Sequence, residues 1–211
     1  MPLYVLALTD TDPGSWTIGG REVHTVSYGA VHVVHERRAA IPAMSDDELR
    51  AQHALVVSIA ERAPAVLPAR FGSLLSKREL TASVRRHENE ILAALQHVHH
   101  HVQITVRVLG DRPRRYAAPV IAGMSGRQYL ERARRAAIPP TTPAAERLLE
   151  AVRPLVTSER RERGAGRLLA TIYHLVDMRH VDRYLTMAGR PIQGVIVSGP
   201  WPPFAFSPQL W

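Results

Sequence analysis

Three prolines set around a tryptophan and two phenylalanines, Pro200-Trp201-Pro202-Pro203-Phe204-Ala205-Phe206, constrain this chain more than any other stretch. Each proline fixes φ at about −65° and removes a backbone donor, so the segment cannot join the middle of a sheet. It is also too apolar to lie free in water. The expectation is a rigid, extended tail that leaves a strand at 195–198 and lays its rings on the body of the protein. A second unusual stretch lies far upstream, at Val66-Leu67-Pro68-Ala69-Arg70-Phe71-Gly72.

A chain of 211 residues suits two small domains better than one large one. The irregular, charged segment 111–119 marks the link, giving an N-terminal domain at 1–110 and a C-terminal domain with the tail at 111–211. The absence of cysteine excludes disulfides and thiolate metal sites. A strand-like segment begins the sequence without the pattern of a signal peptide, and no apolar run approaches the ~20 residues of a membrane span. The expectation is a soluble, cytoplasmic protein with no membrane partner.

Helix and strand signals alternate along both halves. Residues 3–9 read as a strand, and 22–28 and 30–36 as a pair of strands around Gly29. Ser45 with Glu48 has capping-box spacing, and Leu49, His53, Val56, Val57 and Ala60 then recur as one apolar helix face up to Pro64. Ser76 with Glu79 repeats the box and opens one long helix with Leu80, Val84, Ile91, Leu92, Leu95 and Val98 inward. Strict alternation over 102–109 predicts a half-exposed strand. In the second half, Ser125 with Gln128 begins a helix to about Ala137. Thr142-Pro143 begins another, kinked at Pro154. A strand at 168–176, a short helix at 181–188 and the strand at 195–198 complete an α+β pattern: two small domains, each a mainly antiparallel sheet with helices packed on it.

Chemistry-bearing constellations are few. His97, His99, His100 and His101 fan out at a helix end, which does not favour a converged metal site. His53 on an apolar face reads as a core histidine with a ring nitrogen bonded to a carbonyl. No nucleophile elbow and no phosphate-binding glycine loop occurs. These features predict no catalytic residues, no metal and no cofactor. The net charge of +8 comes mostly from arginine, in clusters at 85–86, 112–115, 132–135 and 160–163. It reads as solvated helix faces or as a nucleic-acid-binding surface. Aromatic residues make up only 6% of the chain, and the 102–108 strand offers Val and Ile where base-stacking platforms carry rings.

The Val66-Leu67-Pro68-Ala69-Arg70-Phe71-Gly72 stretch and the Ser198-to-Phe206 tail together resemble the signature of the gas vesicle accessory proteins of the GvpF/GvpL family. The resemblance extends to the opening strand, to Ile18-Gly19-Gly20, to His53 with Val56 and Val57, to Gly126-Arg127-Gln128-Tyr129-Leu130, and to the strand at 170–176. It implies two α+β domains with the tail packing back, and a non-enzymatic role in building gas-filled, protein-shelled organelles. The implied partners are the small hydrophobic shell protein and other accessory proteins, and the implied location is the cytoplasm, in association with gas vesicles. A basic nucleic-acid-binding α+β module is the alternative. Arg70, Phe71, Trp201, Phe204 and Phe206 are the candidate residues, for partner contact or for interdomain packing. The chain departs from the family pattern in its positive charge and in a C-terminal half expected to be pared down.

Overall fold

A computed structural model describes residues 1–111 and 139–211. The 112–119 part of the expected link, the Ser125 helix and the 126–130 motif lie outside the described residues. The fold is α+β, with two sheets carrying helices. By its contacts the chain forms two compact units, Met1–Gln103 together with Pro200–Trp211, and Ile104–Gly199. The tail therefore groups with the N-terminal residues rather than with the half that precedes it.

In the first unit, β1 (Leu3–Thr9), β2 (Trp16–Ile18), β3 (Arg21–Tyr28), β4 (Val31–Arg37) and β5 (Val66–Pro68) form a sheet in the order β2-β3-β4-β1-β5, with β6 (Leu74–Leu75) also on β1. Its neighbouring strands pair antiparallel, from Leu3↔Arg37 to Thr9↔His32 between β1 and β4, with a bulge between Val5 and Ala7. β1 sits centrally, and Tyr4 to Thr9 are all buried, which is why its sequence is an apolar run rather than an alternation. Gly29, at φ +60°, opens the two-residue turn between β3 and β4, as a type II′ turn requires.

Helix α1 (Asp46–Ala60) is capped by Ser45, whose hydroxyl accepts the Glu48 amide at 3.2 Å. The reciprocal half of the box is replaced: the Glu48 carboxylate turns to Arg38 at 3.3 Å and to Arg21 at 3.9 Å. The buried face of α1 is Gln52, Leu55, Val56, Ser58 and Ile59, rotated from the face expected; Leu49 is exposed and His53 and Val57 only half-buried. Leu55, Val56 and Ile59 pack on Tyr4, Leu6 and Val34, each contributing about 1.5–3 kcal/mol before entropy is counted. The second capping box forms in full at Ser76 and Glu79. The expected single helix is broken at His87 into α2 (Lys77–Arg86) and α3 (Glu88–Val98), with the same apolar stripe continuing across the break.

In the second unit, β7 (His101–Leu109), β8 (Val156–Arg163), β9 (Leu168–Asp177) and β10 (Val195–Trp201) pair in the order β10-β7-β9-β8. Helices α4 (Pro143–Val152) and α5 (Val181–Ala188) share a core with Ile104, Val106, Val108 and Ile172. Pro154 ends α4 rather than kinking it: a single 3-10 turn at Arg153–Leu155 leads directly into β8, a strand the sequence reading lacked. β10 runs on through Pro200 to Trp201, three residues past the expected end. Its edge position is one where a proline is tolerated, because half of the strand's backbone groups there have no neighbouring strand to bond.

Candidate partner-binding surface

Four of the five candidate residues meet around one wall of the first unit. β5 ends at Pro68, Ala69 is buried, and Arg70 then projects into solvent. The turn beyond it closes through Ser73, whose hydroxyl donates to the Arg70 carbonyl at 2.7 Å. Gly72 adopts φ +87°, a conformation that a side chain disfavours, and its amide donates to Tyr4 Oη at 3.0 Å. The same hydroxyl donates to Gln52 Oε1 at 2.6 Å, and Gln52 Nε2 reaches back to the Ala69 carbonyl at 3.4 Å. One buried tyrosine thus ties β1, α1 and the 69–72 turn together. Burial pushes its hydroxyl pKa up, which keeps it a neutral donor. Phe71 rests its ring edge-on against Tyr4, with centroids 6.3 Å apart.

The tail completes the surface. Pro202 and Pro203 are buried, and a 3-10 turn at Phe204–Phe206 follows. The buried Gln103 side chain accepts the Ala205 amide at 2.8 Å, which explains why the 102–109 alternation does not give a half-exposed strand at its start. Farther on, Ser83 donates to the Leu210 carbonyl at 3.1 Å and Trp211 Nε1 donates to Ser73 Oγ at 2.8 Å. Phe206 is inward-facing, 4% exposed, beside the His97 ring at 6.3 Å. Phe204 and Trp201 face outward, each 37% exposed.

His53 stands between those two rings. Trp201 meets it edge-on at 5.2 Å and Phe204 stacks at 5.8 Å, so it is a half-buried platform for the tail rather than the carbonyl-bonded core histidine expected. An apolar groove of about 380 Å³ results. Its walls are Leu49, Gln52 and His53 from α1, Ala69, Arg70 and Phe71 from the turn, and Phe204 from the tail. Leu49 is 41% exposed. Sequence reasoning placed Leu49 in the core and missed Gln52 altogether. The signal available was Leu49 itself, one turn before His53 on a helix whose buried stripe runs through 52, 55, 56 and 59.

Other polar clusters are structural in their geometry. His99 Nδ1 lies 2.9 Å from Asp10 Oδ2, His101 Nδ1 donates to the His99 carbonyl at 2.6 Å, and His97 faces Phe206. Among the described residues no group of three or more His, Asp or Glu side chains is placed to hold a metal ion. In the second unit the Glu159 carboxylate accepts from His174 Nε2 at 3.0 Å, and Tyr184 Oη donates to His174 Nδ1 at 2.7 Å. The order hydroxyl–imidazole–carboxylate is that of a nucleophile-activating triad. Here, however, the hydroxyl is fully buried and burial raises its pKa, the reverse of activation. The relay ties β8, β9 and α5 together beside a cleft of about 490 Å³. The glutamates of that cleft are paired: Glu159 and Glu146 with Arg161 at 2.6 and 4.0 Å, Glu150 with Arg153 at 3.4 Å.

The family described as gas vesicle synthesis protein GvpL/GvpF matches residues 2–208. The fold is similar to a crystal structure of gas vesicle protein GvpF from Microcystis aeruginosa, with a TM-score of 0.71 over 99% of both chains at 8% identity. It is likewise similar to GvpF from Anabaena sp. PCC7120, with a TM-score of 0.68 over 99% of this chain and 98% of that one at 11% identity. Coverage that complete leaves no sign, against these two, of the pared-down C-terminal half expected. No curated protein matches the chain by sequence.

Proposed function

The chain belongs to the GvpL/GvpF family of gas vesicle synthesis proteins, and we propose that it acts as a non-enzymatic accessory protein of gas vesicle assembly. In this reading it works in the cytoplasm and on the growing vesicle, binding the small hydrophobic shell protein together with other accessory proteins. The family match over residues 2–208 carries the reading. A subunit destined for a water-excluding shell exposes apolar surface before it is incorporated, and a partner that covers this surface suppresses aggregation. The groove between α1, the 69–72 turn and the tail is the proposed contact. Arg70, Phe71, Trp201 and Phe204 meet the partner, and Phe206 anchors the tail. No helix among the described residues is long and apolar enough to cross a membrane.

The test is co-purification of the tagged protein with co-expressed shell protein, with nuclease present, at low and high salt. Apolar contact survives high salt, whereas attraction between exposed charges is screened. Retention of the shell protein at both salt concentrations is the expected result. Loss of the shell protein, with nucleic acid recovered only when nuclease is omitted, would overturn the reading in favour of the basic surface.

A further inference from the structure

We infer that the groove on the first unit takes an amphipathic helical segment whose apolar face carries a flanking carboxylate, with Arg70 as the reader of that charge. This rests on the accessory-protein reading and names the chemistry of the segment bound. Three observations point to such an occupant.

The first is an imbalance of charge. Leu49, Phe71 and Phe204 give the groove an apolar lining, and none of its lining residues is acidic. Arg70 is exposed at the rim, its carbonyl accepts from Ser73, and its guanidinium makes no hydrogen bond or ion pair among the described residues. The other arginines of this region are engaged: Arg21 and Arg38 hold Glu36 at 2.6 and 3.1 Å, and Arg50 holds Asp47 at 3.1 Å. A guanidinium left open beside an apolar slot complements a carboxylate presented with apolar side chains. The second is rigidity. The wall carrying Arg70 is fixed from behind by the Tyr4–Gln52–Ala69 and Tyr4–Gly72 bonds, so little ordering is needed on binding.

The third is size. About 380 Å³ lies near the lower end of the range for small-ligand clefts, room for a few anchor side chains rather than a folded domain. An amphipathic helix offers that footprint through its i, i+3, i+4 and i+7 positions. A second copy of this chain is disfavoured, since it brings the same +8 net charge and the same arginine.

The experiment uses the full chain and two fluorescein-labelled helical peptides with the same leucine stripe, one flanked by glutamates and one by lysines. Fluorescence anisotropy at low salt should show the glutamate peptide binding about fivefold or more tighter than its twin. Arg70→Glu should invert that order, whereas Arg86→Glu, the same charge change on exposed α2, should leave it in place. Leu49→Asp should weaken both peptides. Urea midpoints close to wild type for these exposed positions would establish that the variants are folded. Equal binding of the two peptides, binding of neither, or equal effects of Arg70→Glu and Arg86→Glu would overturn the inference, as would a concentration-dependent dimer that competes with the peptide. Loss of shell-protein co-purification with an intact peptide preference would instead fall on the gas vesicle reading, so the two failures are separable.

Discussion

Tyr4 donates from a fully buried ring hydroxyl to Gln52, 48 residues away, while accepting the amide of Gly72. Removing that oxygen strands a buried carbonyl and a part-buried N–H at once, and each unsatisfied buried group costs about 1–3 kcal/mol. Tyr4→Phe is therefore expected to lower stability by about 2 kcal/mol, seen as a fall in the urea midpoint at unchanged slope. An unchanged midpoint would mean that water replaces the hydroxyl and that the turn bearing Arg70 is not held from beneath. Arg70 and Phe71 were legible in the sequence because the stretch from Val66 to Gly72 resembles part of the family signature. Tyr4 and Gln52 were not, because a single tyrosine in an apolar strand and a glutamine on a helix leave no periodic mark of the bond between them.

Among the elements, the tail divides its two phenylalanines between packing and surface. Phe206 is buried, so Phe206→Ala should cost about 3–5 kcal/mol, the range for a large ring lost from a core. Phe204→Ala, at an exposed ring stacked on His53, should leave the urea midpoint within about 1 kcal/mol of wild type. The same variant should reduce co-purification of the shell protein at high salt; a drop in stability without loss of partner would assign Phe204 to packing alone. Helix starts were legible because Ser45 and Ser76 have capping-box spacing and Pro143 follows Thr142, and all three side chains accept an amide three residues on. β8 was not. Its Glu159 to Arg163 run lies at a sheet edge with most positions exposed, so it carries charge where the strand rules look for alternating apolar residues. The rotation of α1 was hidden for a related reason: buried Gln52 and Ser58 lie on its inner face, and exposed Leu49 on its outer one.

At the scale of the whole molecule, eleven histidines and a +8 charge make acid the direction of risk. In the second unit His174 is 1% exposed, and burial pushes its pKa down; the bond to Glu159 offsets only part of that. In the first unit burial also lowers His35, with the His24 ring and Arg37 adding to the effect. A histidine free in the unfolded chain titrates at about 6.5. Below that value the unfolded chain binds protons that the folded one refuses, so unfolding is favoured as pH falls. The contribution is complete above about pH 6.5 and is lost progressively on the way down to the folded pKa values. Glu159 adds a second, lower step. Burial alone would raise its pKa, but hydrogen bonds from Arg161 and His174 hold it below the usual range. Its contribution is present above about pH 4.3 and disappears as pH falls through the folded value. Urea midpoints measured from pH 8 downward should hold level to about pH 6.5 and then decline. His174→Gln should start lower at pH 8 but decline less steeply, because one of the two proton-refusing sites is gone. A midpoint that rises on acidification would show that the folded chain takes up more protons than the unfolded one, and would overturn the expectation that these two imidazoles dominate the acid response.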